Sequence, residues 1–567
     1  MKTLLILLIP VTLLFATVRY LQAQDTPLIQ YVAPSGSDSG YCTLVEQPCQ
    51  TINYALSKGL SNVEVRVAAG IYHEPILLYR APSVVSQPIT LTGGFTLTNW
   101  ITPSWTTNPT ILDGQKSYRP LTIQADQVRV DGFIIRHGNA NLFDHTGGGI
   151  YIGGVNQTVE ATLVNLRVEN NVASTVDGGE GGGLAAVMGD RFVREAKLTL
   201  ENVSFISNTA STGHLAAIGG GVSLQAVAGS HLDVAMSQVR IERNRAGNDF
   251  SSSGGGLAFN LNGGTATVRN TYILDNASAI SPTVLGGPSR GGGIYLLEGN
   301  LLLENVLLAG NAGERGDALS IQVQEPLTTT VAMNYVTFAN NYRVALDASA
   351  AIHSEGNGVN LHLSNTLISG NPTALKAPFN AQAVSLTLVN TLVDTNVTSL
   401  TIGKVDQKGT PLRGSAGYRN ATAGDYHLAG NSAAIDQGNN LPPLSDLDGV
   451  ARPNGTASDI GAFEFIAPVL VEQTITFATI ADRRLSDLSF VLSATASSGL
   501  TVTLESKTTS VCTLAGNRVQ LLATGTCTLV ATQAGNAQFK PATPVERSFV
   551  VLPEESLHEL FLPLVLR

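Results

Sequence analysis

The chain has 567 residues, beyond the roughly 250–300 at which one ordinary core stops growing, so it holds several domains or a repeat array. Charged residues are only 13% and glycines number 57, which suits a turn-rich all-β protein and excludes a disordered chain or a helical bundle. A net charge of −10, with no cluster of Lys and Arg, excludes a nucleic-acid binder.

The opening MKTLLILLIPVTLLFATVRYLQAQ starts with Lys2, runs apolar from Leu4 to Phe15 and ends in small and polar residues around Ala23. It reads as a secretory signal peptide over 1–23; a retained membrane helix would need about 20 apolar residues, more than this run supplies. No later segment could span a bilayer. Cys42 and Cys49 lie near the mature N-terminus, and Cys512 and Cys527 near the C-terminus. Two local disulfides are the simplest of the three pairings open to them and fit an exported protein. Neither pair has a His or Cys partner at zinc spacing.

The mature chain begins YVAPSGSDSGYCTLVEQPCQTINYAL and continues VEVRVAAGIYHEPI. This stretch resembles the N-terminal cap of secreted bacterial β-helix proteins of the pectate-lyase-like superfamily, including those labelled polymorphic outer membrane proteins. The resemblance implies that residues 24–115 hold a cap and the first coils, with a short helix over about 52–60 closing the open end.

Residues 116–415 repeat. Three glycines followed by an apolar alternation recur at 147, 181, 219, 254 and 291, that is, every 34 to 38 residues. Asn also recurs six residues apart, at Asn165/Asn171, Asn202/Asn208, Asn270/Asn276, Asn305/Asn311, Asn334/Asn340, Asn365/Asn371 and Asn390/Asn396, with Asn244 closing one further copy. Such periods mean stacked repeats. The residues between the asparagines alternate with period two, so each unit is built of strands without a helical stripe, and two strands per unit are too few for a propeller blade. A single-stranded right-handed parallel β-helix of about nine coils fits. Asn171, Asn208, Asn244, Asn276, Asn311, Asn340, Asn371 and Asn396 would form a hydrogen-bonded column, and Asp131 and His137 would fill its two slots in an earlier coil. The glycines would turn corners.

Residues 425–465 contain SAAIDQG, DLDGVARP and DIGAFE. These motifs resemble the end region of bacterial surface β-helices known as choice-of-anchor Q, which places the helix end at 416–466. Residues 467–552 alternate in short strands broken by Gly and Asn turns and resemble a bacterial immunoglobulin-like module, implying a small β-sandwich. The tail over 553–567 ends LPLVLR, similar to short endings of some exported bacterial proteins, and fits a last strand packing on the preceding module equally well; it lacks a sortase signal.

The chemistry is sparse. Enzymes of the superfamily that this chain resembles need calcium with a Lys or Arg base, or paired carboxylates flanking the scissile bond. The outward column after the glycines reads Tyr151, Ala185, Ser223, Ala258 and Tyr295, with no acid or base. Arg167/Glu169 and Arg240/Glu242 are expected to be surface ion pairs. The remaining catalytic candidates are Asp131, His137, Asp144 and His145. Asp446, Asp448 and Asp459 have the oxygen-rich look of a calcium loop but lack the full spacing of an EF-hand loop, and a turn held by Arg452 and these carboxylates is the preferred reading. No organic cofactor is implied, and calcium is the one ion the sequence admits. The tripeptide Arg315-Gly316-Asp317 matches an integrin-binding motif by length alone. The expectation is a secreted or cell-surface protein that binds extracellular polysaccharide or envelope components without catalysis. The alternative is a polysaccharide lyase or hydrolase acting through its loops.

Overall fold

The computed structural model describes residues 26–59, 62–79, 87–142, 144–153, 159–188, 195–213, 215–227, 229–248, 252–279, 289–324, 327–341, 350–377 and 384–554. Residues 1–23, expected to be a signal peptide, and most of the tail, 555–567, lie outside the described residues. The chain divides into two compact units between Phe465 and Ile466.

In the first unit, strands pair in parallel with their equivalents one coil on. Ile150 faces Leu184, Leu184 faces Val222, Val222 faces Leu257 and Leu257 faces Ile294. The chain is a parallel β-helix. One face of the coil carries the strands that follow the glycines, such as Ile150–Gly153, Leu184–Met188 and Val222–Ala226. The other two faces are the halves of longer strands, such as Glu160–Glu169 and Glu195–Ile206. Each of these bends at one residue in the left-handed region: Asn165, Asn202, Asn270 and Asn305 have φ between 48° and 53°. Asn tolerates that conformation better than other side chains, which is why it marks the corner.

The alternation seen in the sequence places one set of side chains inside. Ile150, Leu184, Val222, Leu257 and Ile294 are fully buried, as are Ile152, Ala186, Leu224 and Leu296. They belong to one apolar core running from Val32 to Val397. Truncating a large member such as Phe205 to Ala would cost about 3–5 kcal/mol. The first glycine of each triplet takes φ between 57° and 66°. The second has no room for a side chain: a Cβ on Gly255 would lie 2.3 Å from the carbonyl carbon of Ala277.

At the closing corner a buried amide ladder runs along the axis. The Nδ2 group of Asn171 donates to Asn208 Oδ1 at 2.9 Å, and the same bond links Asn208 to Asn244, Asn244 to Asn276, Asn276 to Asn311 and Asn311 to Asn341 at 2.9–3.0 Å. Each acceptor oxygen also takes the backbone N–H of the preceding Asn. Three expectations are corrected here. The ladder member is Asn341, while Asn340 takes φ 47° and turns the corner before it, because the strand's own bend falls at Tyr335 instead of Asn334. Asn396 is exposed and accepts only the N–H of Gly370; Asn371 is buried but donates to Asp317. Asp131 and His137 stand one residue ahead of the slots expected for them: Asp131 faces Val164 and Arg136 faces Glu169, so Gly132 and Gly138 occupy the corner and ladder positions.

A short helix, Ile52–Lys58, packs Ile52 and Ala55 into the first coil, with Thr51 as its N-cap. Nearby, Cys42 and Cys49 form a disulfide.

The second unit is a small antiparallel β structure. Strands Thr503–Ser506, Gly525–Thr532 and Val545–Leu552 form one sheet, extended in parallel by Arg483–Arg484. Ser489–Val491, Arg518–Leu521 and Cys512–Ala515 form another. The Cys512–Cys527 disulfide ties the two sheets across a core that includes Phe477, Val519, Leu529 and Phe549. No helix among the described residues is long and apolar enough to cross a membrane.

Candidate functional site

The last stretch of the first unit does not continue the coil. It returns along the outside of the helix. Tyr426, Ala462 and Phe463 pack on Leu307, Ala309 and Ala339, and Leu428, Ala434 and Ile460 on Leu367 and Leu392. The corner amides Asn390, Asn365 and Asn305, which point outward, and Asn334 just ahead of the bend at Tyr335 hold its backbone coil by coil. Asn390 Nδ2 donates to the carbonyl of Gln437 at 2.9 Å, Asn365 Oδ1 accepts the N–H of Asn439 at 2.8 Å, Asn334 Nδ2 donates to Pro442 at 2.8 Å and Asn305 Nδ2 to Ser445 at 2.6 Å. Arg452 clamps this arrangement. Its guanidinium donates to Glu464 Oε1 at 2.6 Å and to Asn305 Oδ1 at 3.2 Å, and lies 3.9 Å from the centre of the Tyr335 ring.

Where the returning segment leaves the helix at Ser445–Gly449, a notch of about 430 Å³ opens. Its floor is the bare helix side, with Asn202, Ser204, Gln238, Arg240, Asn270 and Tyr272; its wall is the turn Asp446–Gly449. Around the notch the corner amides are incompletely paired. Asn305 donates to Asn270 Oδ1 and Asn202 donates to Asn165 Oδ1. Gln238, standing between them in the column, bonds neither neighbour, so its side-chain amide, Asn270 Nδ2 and Asn202 Oδ1 have no partner among the described residues. Donors and acceptors therefore face the notch together, beside the Tyr272 ring.

The charges around the notch are matched within the protein. Asp448 Oδ1 accepts the Tyr272 hydroxyl at 2.7 Å and its Oδ2 meets His427 Nε2 at 2.6 Å, while His427 Nδ1 meets Asp425 Oδ1 at 2.5 Å. Burial disfavours the imidazolium of His427, but hydrogen bonds to Asp448 and Asp425 outweigh it and raise its pKa. Burial, reinforced by Asp448, holds the Tyr272 phenol well above its usual range. Arg240 and Arg243 each contact Glu242 at 2.5 Å, and Asp275 lies within electrostatic range of both arginines.

No family model matches the chain, and no curated protein does. Among solved structures, the crystal structure of pectate lyase Pel9A aligns with a TM-score of 0.41 at 13% identity, over 77% of this chain and 96% of that one.

The four residues considered for catalysis are not brought into one site. Asp131 pairs with Arg129 at 2.6 Å and accepts Asn165 Nδ2 at 2.8 Å. His137 Nδ1 lies 3.2 Å from Asp113, Asp144 lies 2.9 Å from Arg119, and His145 Nε2 is 3.9 Å from Asp177. The calcium candidates are engaged within the protein. Asp446 spends Oδ1 on the N–H groups of Asp448 and Val450 and Oδ2 on that of Glu464. Asp459 accepts the N–H groups of Asp436 and Phe465, and burial raises its pKa to about 6. Two of the three carboxylates thus close turns through backbone donors, and among the described residues no three His, Cys, Asp or Glu side chains are grouped to hold a metal. Arg452 holds the segment as the sequence suggested, but its ion-pair partner is Glu464.

Sequence reasoning missed a second polar group on the glycine-strand face. Its outward column does not stop at Tyr295 but continues through Ser320, His353 and Lys376. There Glu355 meets Arg290 at 3.3 Å, Arg315, and His353 at 3.3 Å. Burial raises its pKa, but the His353 hydrogen bond and the two arginines bring it down to about 2. Arg315-Gly316-Asp317 stands in register with the glycine triplet before it: Gly316 takes φ 72° and Asp317 is 1% exposed, so the tripeptide is a coil corner. The signal that could have revealed this group is the decay of the glycine triplet after 291, which hides the coil but leaves the strand alternation intact.

Proposed function

We propose that the protein is an extracellular or cell-surface β-helix that binds glycan without catalysis, with the notch as its ligand site. One observation carries this reading: the amide groups of Asn202, Gln238 and Asn270 that lack partners all line the notch, next to the ring of Tyr272. A sugar offers paired hydroxyls that both donate and accept, which is what side-chain amides satisfy, and an aromatic ring covers its apolar face. Two disulfides support an oxidising compartment. In this reading, residues 416–466 serve as a choice-of-anchor Q-like end and residues 467–552 as an immunoglobulin-like spacer.

A lyase or hydrolase is the second reading, favoured by His427 between two carboxylates at the notch edge. It is the weaker one. Both nitrogens of His427 are already engaged by Asp448 and Asp425, and both Asp446 oxygens already accept backbone hydrogen bonds, so neither is free to take a proton from a substrate. The test is to incubate the mature chain, 24–567, with immobilised and soluble polysaccharides, with and without calcium. Retention without shortening of the polymer is expected. Depolymerisation abolished by Asp448→Asn or His427→Gln would refute the binding reading.

A further inference from the structure

The exposed column of corner amides runs the length of the coil but is only half occupied. Between Asn390 and Asn305 it holds the protein's own backbone from Gln437 to Ser445. It continues through Asn270, Gln238 and Asn202 in the notch to Asn165 beyond it, which spends one N–H on Asp131 and one lone pair on Asn202 and keeps the other of each. Each coil offers one amide, so the column presents a polar contact about every 4.8 Å.

We infer that the ligand of this site is a neutral, linear polysaccharide of extended, β-linked sugars, lying lengthwise on the bare column with about one sugar per coil. This rests on the glycan-binding reading above and adds the class of glycan and its direction. Spacing decides against a peptide. An extended chain advances about 3.3 Å per residue and falls out of step with coils about 4.8 Å apart. The protein's own segment shows the cost: its eight steps from Gln437 to Ser445 cover three coil spacings, about 14 Å, where an extended strand would cover about 26 Å. It reads the column only by buckling, through Pro442 and Pro443. An extended β-linked sugar has a repeat close to the coil spacing and needs no such buckling.

Charge decides against an acidic polymer. Arg240 and Arg243 already face Glu242 and Asp275, and Asp448 adds a carboxylate at the rim. A uronate would meet Asp448 and find no spare cation among the described residues of the notch. A neutral sugar meets unpaired amides, the Ser204 hydroxyl and Tyr272.

The test uses the whole mature chain and calorimetric titration with β-1,4-linked gluco-, manno- and xylo-oligosaccharides from two to six units, polygalacturonate, and a synthetic peptide of residues 437–445. Two variants leave the backbone unstrained, because both positions already have positive φ: Gln238→Gly inside the notch and Asn165→Gly beyond it. Circular dichroism confirms that each is folded. At least one neutral series is expected to bind, with affinity rising up to about four sugars, the span from Asn270 to Asn165, and then levelling. Each variant should weaken the longer oligosaccharides about three- to tenfold, the loss of one neutral hydrogen bond. Preference for polygalacturonate, or for the peptide, would overturn the class assigned here. Weakening by Gln238→Gly with no effect of Asn165→Gly would overturn the lengthwise placement, because it confines the ligand to the notch. Both of these leave glycan or surface binding standing as a separate question, whereas retention of no polysaccharide by the wild-type chain would refute the parent reading as well.

Discussion

Arg452 is the residue on which the returning segment most depends, and its loss can be worked through. Its side chain and that of Glu464 are 1% and 0% exposed, and they meet at 2.6 Å. The guanidinium also donates to the carbonyl of Gly461 at 3.0 Å and to Asn305, tying the segment to the coil. Arg452→Met keeps much of the side-chain volume but leaves the Glu464 carboxylate buried with no counter-charge. Breaking a buried pair in this way costs about 3–5 kcal/mol. A repeat array does not unfold as one unit, so the cost should be read locally, as hydrogen exchange of residues 425–465. At about 1.4 kcal/mol per tenfold, exchange there should speed up by roughly two to three and a half orders of magnitude, while the core strands at Leu184–Met188 stay protected. Glu464 also accepts the N–H groups of Asp459 and Asn454, so the partner substitution must keep an acceptor: Glu464→Gln does. The double variant should recover part of the loss, with a coupling of about 0.5–3 kcal/mol. Exchange in Arg452→Met within about fivefold of wild type, or strictly additive losses, would refute the ion pair as the clamp.

Other substitutions follow from the same contacts. Asn276→Ala removes the acceptor of two Asn244 hydrogen bonds and the donor to Ile241, so thermal or denaturant unfolding of the coil should show a loss of roughly 1–3 kcal/mol for each buried group left unpaired. Glu355 titrates at about 2 in the fold against 4.5 ordinarily, so its stabilisation is present above pH 4.5 and is lost as pH falls through the folded value; Glu355→Gln should flatten the acid limb of a stability-against-pH curve, and an unchanged limb would show that the arginines hold nothing. His427 has the opposite sign: its pKa is raised from 6.5, so what it contributes is present below pH 6.5 and is lost as pH rises through the folded value. An NMR titration should place its pKa above 6.5, and Asp425→Asn should bring it down; a midpoint at or below 6.5 in the wild type would contradict the paired-carboxylate geometry.

The coil was legible because its signals are local. Glycine triplets mark positions where a Cβ would strike the neighbouring coil, and paired asparagines mark two corners, so both repeat with the strand period. The errors were of one residue. At Asn334 the bend slides to Tyr335, and the buried amide slides with it from 340 to 341; sequence spacing alone cannot tell an inward Asn from an adjacent one that turns the corner. The notch was not legible for a different reason. Its two walls are far apart in the chain, and they meet where Tyr272 bonds Asp448. Nothing in DLDG announces that it will lie against the coil, since Asp446 and Asp459 satisfy backbone groups within their own segment and resemble a metal loop for that reason.

The two amide columns use one residue type for opposite ends, and the difference lies in which way the corner turns the side chain. The closing Asn points inward, where every one of its hydrogen bonds goes to a neighbouring coil, so it can hold only coil to coil. The bending Asn points outward and keeps bonding capacity that the coil does not need. At Asn390, Asn365 and Asn305, and at Asn334 beside the bend at Tyr335, that capacity fastens the returning segment. At Asn270, Gln238 and Asn202 it is open. Gln in place of Asn at 238 is what breaks the chain of side-chain bonds between Asn202 and Asn270. Gln238→Asn should therefore close that gap, adding stability to the coil while withdrawing the groups that face the notch, so stability and ligand retention should move in opposite directions in a single variant.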